Sequence, residues 1–336
     1  MQSPVPGSPP LSDVLAIHPG AVGDIVLLGQ LLARLGGRAA VVAKGQRGRL
    51  LAELRFGPPN SPDEHPLAER VIDFEAWALD ERVVLRSTGH RPEHTLGLCH
   101  RLVAFYPPSL EEVRRLAKAL GARQSWLLPI RPDEDYPGHL LDKWAGLMNM
   151  KPIVASPTAG DDARRLVWRV SREQVEQARW PLPLLGINSD QPYVVIHPGS
   201  GGRLKCWPLD NFQILAHRLQ ARHGGLGILL VVGEAEIERW GEETLHRLGR
   251  EFPLLQCQDL LQLAGLLAGA KAYVGNDSGP SHLAAALGTP TVALFGATSP
   301  VHFAPLGPAV RVVRGETMDE ITVEQVTGEM VDWLTG

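Results

Sequence analysis

A chain of 336 residues and 36.5 kDa is too long for one ordinary hydrophobic core and fits two domains of roughly 150 residues. Lys plus Arg total 33 against 37 Asp plus Glu, so the net charge of −4 lacks the basic excess of a general nucleic-acid binder. With 44% apolar and 21% charged residues, the composition is globular and not disordered.

Residues 1–12 have neither the basic nor the apolar part of a signal peptide and read as a disordered lead-in. Val14–Ile17 is a short apolar strand. It runs into the turn-rich His18–Gly23, a helical pattern from Asp24 to about Leu35, and a second buried strand at Ala39–Ala43. Strand, turn, helix and strand within about 30 residues predict a parallel α/β sheet. Residues 57–66, with four prolines, read as a loop, and helical patterns return at Ser109–Leu120 and His139–Met150. The stretch 151–192, carrying the amphipathic run Ser171–Arg179, reads as the connection between domains.

The second half alternates more regularly. Strands are predicted at Tyr193–His197, Gly227–Val232, Ala272–Gly275 and Thr291–Phe295. Helices are predicted at Pro208–His223, Glu234–Phe252, Asp259–Gly269 and Ser281–Leu287. The uncharged stretch 278–310 holds five prolines and four glycines, so it cannot form one continuous membrane-spanning helix. Cys99, Cys206 and Cys257 are odd in number and lack any ligand spacing, which points to a reducing compartment and to no zinc site.

Four segments could carry chemistry. In Val194–Pro208 a buried strand ends in a glycine loop, Pro198-Gly199-Ser200-Gly201-Gly202, whose backbone N–H groups could approach an anion, with Ser200 and Lys205 beside them. It is neither a Walker loop nor a complete dinucleotide fingerprint, and a plain strand-to-helix turn remains the alternative. In Tyr273–Gly296, Asn276-Asp277-Ser278-Gly279 opens a helix at a strand end, where free N–H groups favour a diphosphate and His282 stands in the first turn. The plainer reading is a helix cap by Asp277 or Ser278 with His282 merely packed, and such a cap is compatible with an anion site.

Asp24, at the Gly20-Ala21-Val22-Gly23 turn, is either a general base or an ordinary capping aspartate. Glu234 or Glu236, just past a strand, could bind ribose hydroxyls or could lie in a solvated first helical turn. Asp133-Glu134-Asp135 lies between prolines and reads as a solvated acidic loop. His90, His94 and His100 near Cys99 show no metal-ligand spacing.

These segments, in this order, resemble glycosyltransferase family 9, the bacterial heptosyltransferases of the lipopolysaccharide core. The resemblance is carried by Gly20–Leu27, His197–Ser200 with Lys205 and Trp207-Pro208, Val232–Glu236, Gly275–Ala286 and Phe295–Pro300. It covers the C-terminal half almost throughout and the N-terminal half mainly at 14–35 and 139–150. His18-Pro19 and Gly29-Gln30 depart from the family pattern, and the acceptor-contacting residues of 57–135 stay unassigned.

The resemblance implies an α/β, GT-B fold of two Rossmann-like domains facing across a cleft. The acceptor domain would be 13–180, the nucleotide-sugar domain 181–316, and 317–336 a C-terminal helix crossing back to the first domain. It implies an inverting transfer from an ADP-sugar, heptose by resemblance, to a glycolipid or polysaccharide acceptor. Asp24 would be the base and Lys205 would steady the diphosphate. Ser200, Gly201, Ser278, Gly279 and His282 would cradle the phosphates, with Asp277 on the sugar and Glu236 on the ribose. No metal or other cofactor is expected to be obligatory. The expected location is cytoplasmic, with peripheral contact at the inner membrane face. A nucleotide-sugar epimerase and a non-catalytic sugar-nucleotide binder are the alternatives, while the incomplete dinucleotide fingerprint disfavours a dehydrogenase.

Overall fold

The computed structural model describes residues 11–57, 64–77, 95–106, 109–154 and 167–335. Most of the predicted lead-in, the centre of the proline-rich loop, and His90 and His94 lie outside them. The chain divides into two compact units, Met1–Tyr136 with Leu140–Ser156 and Pro137–His139 with Pro157–Gly336.

The first unit contains β1 (Ser12–His18), β2 (Ala39–Ala43), β3 (Arg55–Phe56), β4 (His65–Pro66), β5 (Arg70–Asp73), β6 (Cys99–Ala104) and β7 (Gln124–Leu127). Five of these form a parallel sheet in the order β5-β2-β1-β6-β7, while β3 and β4 pair as a short antiparallel ribbon. Parallel strands buried on both faces need continuous apolar runs, and Leu15, Ala16, Ile17 and the whole of Ala40–Ala43 are fully buried. The core of this unit joins Leu15, Ile17, Val42, Leu102, Val113 and Leu116. Helix Leu110–Ala119 starts at Ser109, whose side chain accepts the Glu112 N–H.

The second unit contains β8 (Trp168–Arg169), β9 (Tyr193–His197), β10 (Gly227–Val232), β11 (Leu254–Gln256), β12 (Ala272–Asn276), β13 (Thr291–Phe295) and β14 (Val310–Arg314). Its six-stranded parallel sheet runs β11-β10-β9-β12-β13-β14. This is the doubly wound order, in which the chain leaves one strand in each direction and opens a crevice at the carboxyl ends of the two central strands. Here those strands are β9 and β12; in the first unit they are β1 and β6.

The structure departs from the sequence expectations at several points. Helix Arg172–Arg179, which precedes the expected boundary at 180, belongs to the second unit. It lies so close to helix Leu260–Ala268 that a Cβ on Gly265 would come within 2.5 Å of the Ala178 methyl. The C-terminal helix, Val323–Leu334, also belongs to the second unit. Val323, Val326, Met330 and Leu334 recur with helical spacing and are built into the same core as Val194, Phe212 and Val292. The helix expected over 234–252 is broken at Gly241, whose φ of 71° is left-handed. Pro208 occupies the position before the helix Leu209–Arg222, not its first turn.

Candidate functional site

At the crevice of the second unit, two loops leave adjacent parallel strands. The loop after β9 runs from Pro198 through Gly202 into a single 3-10 turn, Arg203–Lys205. The segment after β12 runs from Asp277 into helix Gly279–Ala286. Asn276, fully buried at the end of β12, ties the two together. Its Oδ1 accepts the Trp207 N–H at 2.9 Å, and its Nδ2 donates to the carbonyls of Pro198 and Gly199 at 2.9 and 3.1 Å. The Ser281 hydroxyl donates to the Asn276 carbonyl, fixing the start of the helix to the same point.

The helix Gly279–Ala286 has Ser278 as its cap residue, yet no side chain caps it, and Pro280 lies in its first turn. Among the described residues the backbone N–H groups of Ser200, Gly201, Ser278 and Gly279 make no hydrogen bond. Unsatisfied N–H groups at a helix start carry partial positive charge and favour an anion. The cap that Asp277 or Ser278 could have supplied is absent, and the helix start is left open to an anion.

Side chains add charge around these donors. Lys205 Nζ lies 2.7 Å from Asp277 Oδ2, and the Thr298 hydroxyl donates to the same oxygen at 2.7 Å. Asp277 is 7% exposed at its side chain and Lys205 35%, so the ammonium keeps an open side while its partner is enclosed. His282 is buried, and its Nδ1 has no hydrogen-bond partner among the described residues. Burial pushes its pKa down to about 4, against the pull of the Asp277 carboxylate, so the imidazole is neutral at pH 7.

Two acids follow β10, and the structure separates them. Glu234 is exposed in the first turn of its helix, whereas Glu236 is 2% exposed. The Glu236 carboxylate accepts the Gly233 N–H at 2.9 Å and presses on the glycine loop, where a Cβ on Gly199 would come within 1.9 Å of Oε1. Gly199 is thus required by close approach, not by its φ angle. The solvated-turn alternative fits Glu234 alone.

The matching crevice of the first unit is built differently. Helix Val22–Leu35 begins right after the Gly20 turn, and Asp24 is its third residue, not its cap. Asp24 Oδ2 reaches back to accept the Ala21 N–H at 2.7 Å, so of the capping-aspartate alternative one half holds, Ala21 having no polar side chain to bond in return. A Cβ on Gly20 would strike both the His18 ring and Asp24 Oδ2, so this turn also needs glycine for contact reasons. His18 is fully buried, accepts the Gly20 N–H at 2.9 Å through Nδ1, and stacks 4.0 Å from Phe105. Burial pushes its pKa down to about 3.

The structure gathers Ser200, Gly201, Lys205, Glu236, Asp277, Ser278, Gly279 and His282 around one crevice and places Asp24 in the other unit. One expectation changes in kind. The Ser200 hydroxyl donates to the Asp277 carbonyl at 2.9 Å, so its proton is committed to joining the loops and not to a phosphate. Three participants carried no role in the sequence reading: Asn276, Thr298 and Arg239, whose guanidinium donates to the Ser200 carbonyl and to Cys206 Sγ. Arg239 follows Glu236 by three residues, a helical spacing that puts both on the loop side, and that was the available signal. Asp133 pairs with Lys143 and is well exposed, as a solvated acidic loop requires. Among the described residues no cluster of three or more His, Cys, Asp or Glu has metal-binding geometry, and no helix is long and apolar enough to cross a membrane.

The sequence pattern of glycosyltransferase family 9 (heptosyltransferase) matches residues 143–330. The chain belongs to that family. Lipopolysaccharide heptosyltransferase 2 of Escherichia coli K12 is 33% identical over 182 residues, so the match spans about half of each protein, 52% of this chain and 51% of the relative. Lipooligosaccharide heptosyltransferase 2 of Haemophilus influenzae is 28% identical over 322 residues, covering 90% of this chain and 88% of the relative. The solved E. coli ADP-heptose lipopolysaccharide heptosyltransferase II superposes with a TM-score of 0.68 at 24% identity, over 96% of this chain and 98% of that one. The fold of this family 9 chain is accordingly α/β of the GT-B type, with a Rossmann-like parallel sheet in each half.

Proposed function

We propose that this chain is an inverting heptosyltransferase that moves heptose from ADP-heptose to a lipopolysaccharide-core or related glycan acceptor. The observation that carries the donor half of this reading is the uncapped start of helix Gly279–Ala286 beside the glycine loop and Lys205. In this reading the diphosphate lies against the N–H groups of Gly201, Ser278 and Gly279, and Lys205 keeps one ammonium face for it. Glu236, the buried acid of its pair, accepts from the ribose hydroxyls. Asp277 orients Lys205 and faces the sugar, and His282 lines the cradle as a neutral ring.

Transfer requires the acceptor oxygen to lose a proton as it attacks the anomeric carbon. Asp24 is the base in this proposal: its carboxylate is held by the Ala21 N–H at one oxygen and is only half buried. The oxygen–carbon bond forms as the bond to the diphosphate breaks on the opposite face, which inverts the configuration, and ADP leaves with the electron pair. The charge that develops on ADP is met by Lys205 and the helix start, fixed donors that need no reorganisation, so no metal is obligatory. The protein works in the cytoplasm on an acceptor at the inner membrane face.

The test is a screen of ADP-, UDP- and GDP-sugars for thermal stabilisation and for nucleotide release with lipopolysaccharide-core acceptors. ADP-heptose is expected to stabilise the protein and to release ADP only when acceptor is present. Release from the donor alone with an altered sugar would favour the epimerase, and stabilisation without turnover on any acceptor would favour a non-catalytic binder.

A further inference from the structure

The carbonyl groups of the glycine loop are held in a pattern of their own. Three successive carbonyls each accept a hydrogen bond from a side chain on another element. Asn276 Nδ2 donates to Pro198 and Gly199, and Arg239 Nη2 donates to Ser200 at 3.1 Å. Across the crevice the Asp277 carbonyl accepts the Ser200 hydroxyl. The N–H groups that belong to these same peptides are those of Gly199, Ser200, Gly201 and Ser278, and none of them bonds to a described residue.

A trans peptide points its N–H away from its C=O, so a carbonyl held from one side aims the partner N–H to the other. A hydrogen bond at the carbonyl also polarises the peptide and makes its N–H a stronger donor. The effect is largest where the bond comes from a full charge. Arg239 has no carboxylate partner among the described residues, whereas the charge of Lys205 is shared with Asp277. The second half of the chain carries a net −6, so an uncancelled guanidinium behind the loop offsets a field that otherwise opposes an anion.

We propose that Asn276 and Arg239 are the positioning residues of the anion site. They grip three consecutive loop carbonyls from behind and so aim and strengthen the N–H donors that meet a nucleoside diphosphate, without touching it. Asn276 is fully buried and holds both loops, while Arg239 sits on the helix after β10 and holds one. This inference rests on the crevice being a nucleoside-diphosphate site.

The test is calorimetric titration of ADP and of adenosine into the wild type and into the variants Arg239→Gln, Arg239→Lys and Asn276→Ala, with melting curves for each. ADP affinity is expected to fall about 10-fold, or ~1.4 kcal/mol, in Arg239→Gln and Asn276→Ala. Adenosine affinity should stay within about twofold, and Arg239→Lys should recover part of the loss, since an ammonium keeps charge but not the two-pronged geometry. Unchanged ADP affinity in the variants would overturn the proposal. So would an equal loss for ADP and adenosine, the mark of a merely structural role. If Asn276→Ala does not fold, Arg239→Gln carries the test, because its side chain is only partly buried. A wild type that binds ADP no better than adenosine would instead overturn the diphosphate reading itself.

Discussion

The two strand-to-helix crevices answer the same backbone problem in opposite ways. In the first unit the turn between β1 and its helix is three residues long, Pro19 to Ala21, and the Asp24 carboxylate accepts the N–H of the cap residue Ala21. In the second unit the loop after β9 is long, and helix Gly279–Ala286 starts without any side-chain cap. A helix start that carries its own carboxylate places a negative group where an anion would otherwise sit. A helix start left open is completed by whatever anion arrives. In the proposed function, one doubly wound topology used twice assigns a base to one crevice and a diphosphate to the other.

Removing the charge that the open crevice keeps has the largest expected effect. Lys205→Met should weaken ADP binding by about 100-fold, because the ligand loses a charge-assisted contact and Asp277 is left enclosed and unpaired. An ADP titration of the folded variant checks this, and wild-type affinity would remove Lys205 from the site. Gly199→Ala should displace the loop, since the new methyl would overlap Glu236 Oε1, and should cost about 1–3 kcal/mol of stability together with ADP affinity. Pairing it with Glu236→Ala should restore the stability; a melting curve showing no recovery would mean that the loop is strained by something else.

A sharper probe makes the second crevice resemble the first. Ser278→Asp supplies the missing cap to helix Gly279–Ala286, which should raise stability by about 0.5–1 kcal/mol. The same carboxylate should compete with the diphosphate and lower ADP affinity about 10-fold. Melting temperature and ADP affinity should therefore move in opposite directions. If both rise, the open helix start is not the anion site.

The smallest expected effect is a slope with pH. His18 in one crevice and His282 in the other are both held below the ordinary value of 6.5, at about 3 and about 4. The unfolded chain therefore binds more protons than the native one across that interval. The stability these groups contribute is fully present above pH 6.5 and is lost as the pH falls toward 4 for His282 and toward 3 for His18. His282→Gln should reduce the steepness of that loss and leave the part due to His18. Denaturant unfolding at a series of pH values checks it; an unchanged slope would mean that His282 is not buried neutral.

Much of this was legible in the sequence, for identifiable reasons. Strands β2, β9, β10 and β13 sit where continuous apolar runs place them, because a strand covered on both faces tolerates little else. The glycine loop and the start of helix Gly279–Ala286 were visible because glycine and proline constrain the backbone locally. What was not legible depends on pairings distant in sequence. Arg239 looks like one more charge on an acidic helix until the fold brings it to Ser200, and Asn276 needs the loop 77 residues before it to show its function. The amphipathic pattern of the C-terminal helix states that one face is buried, but only the packing of Val326 and Met330 states in which core. The helix expected over 234–252 failed at Gly241 because a glycine inside an amphipathic pattern also permits a left-handed break.

The claim that the first crevice performs proton chemistry while the second holds the nucleotide is tested most directly in one variant. Asp24→Asn should bind ADP as the wild type does, and its turnover of ADP-heptose with acceptor should fall about 10²–10⁴-fold. Turnover equal to that of the wild type would contradict the account, as would a loss of ADP binding that matches the loss of rate.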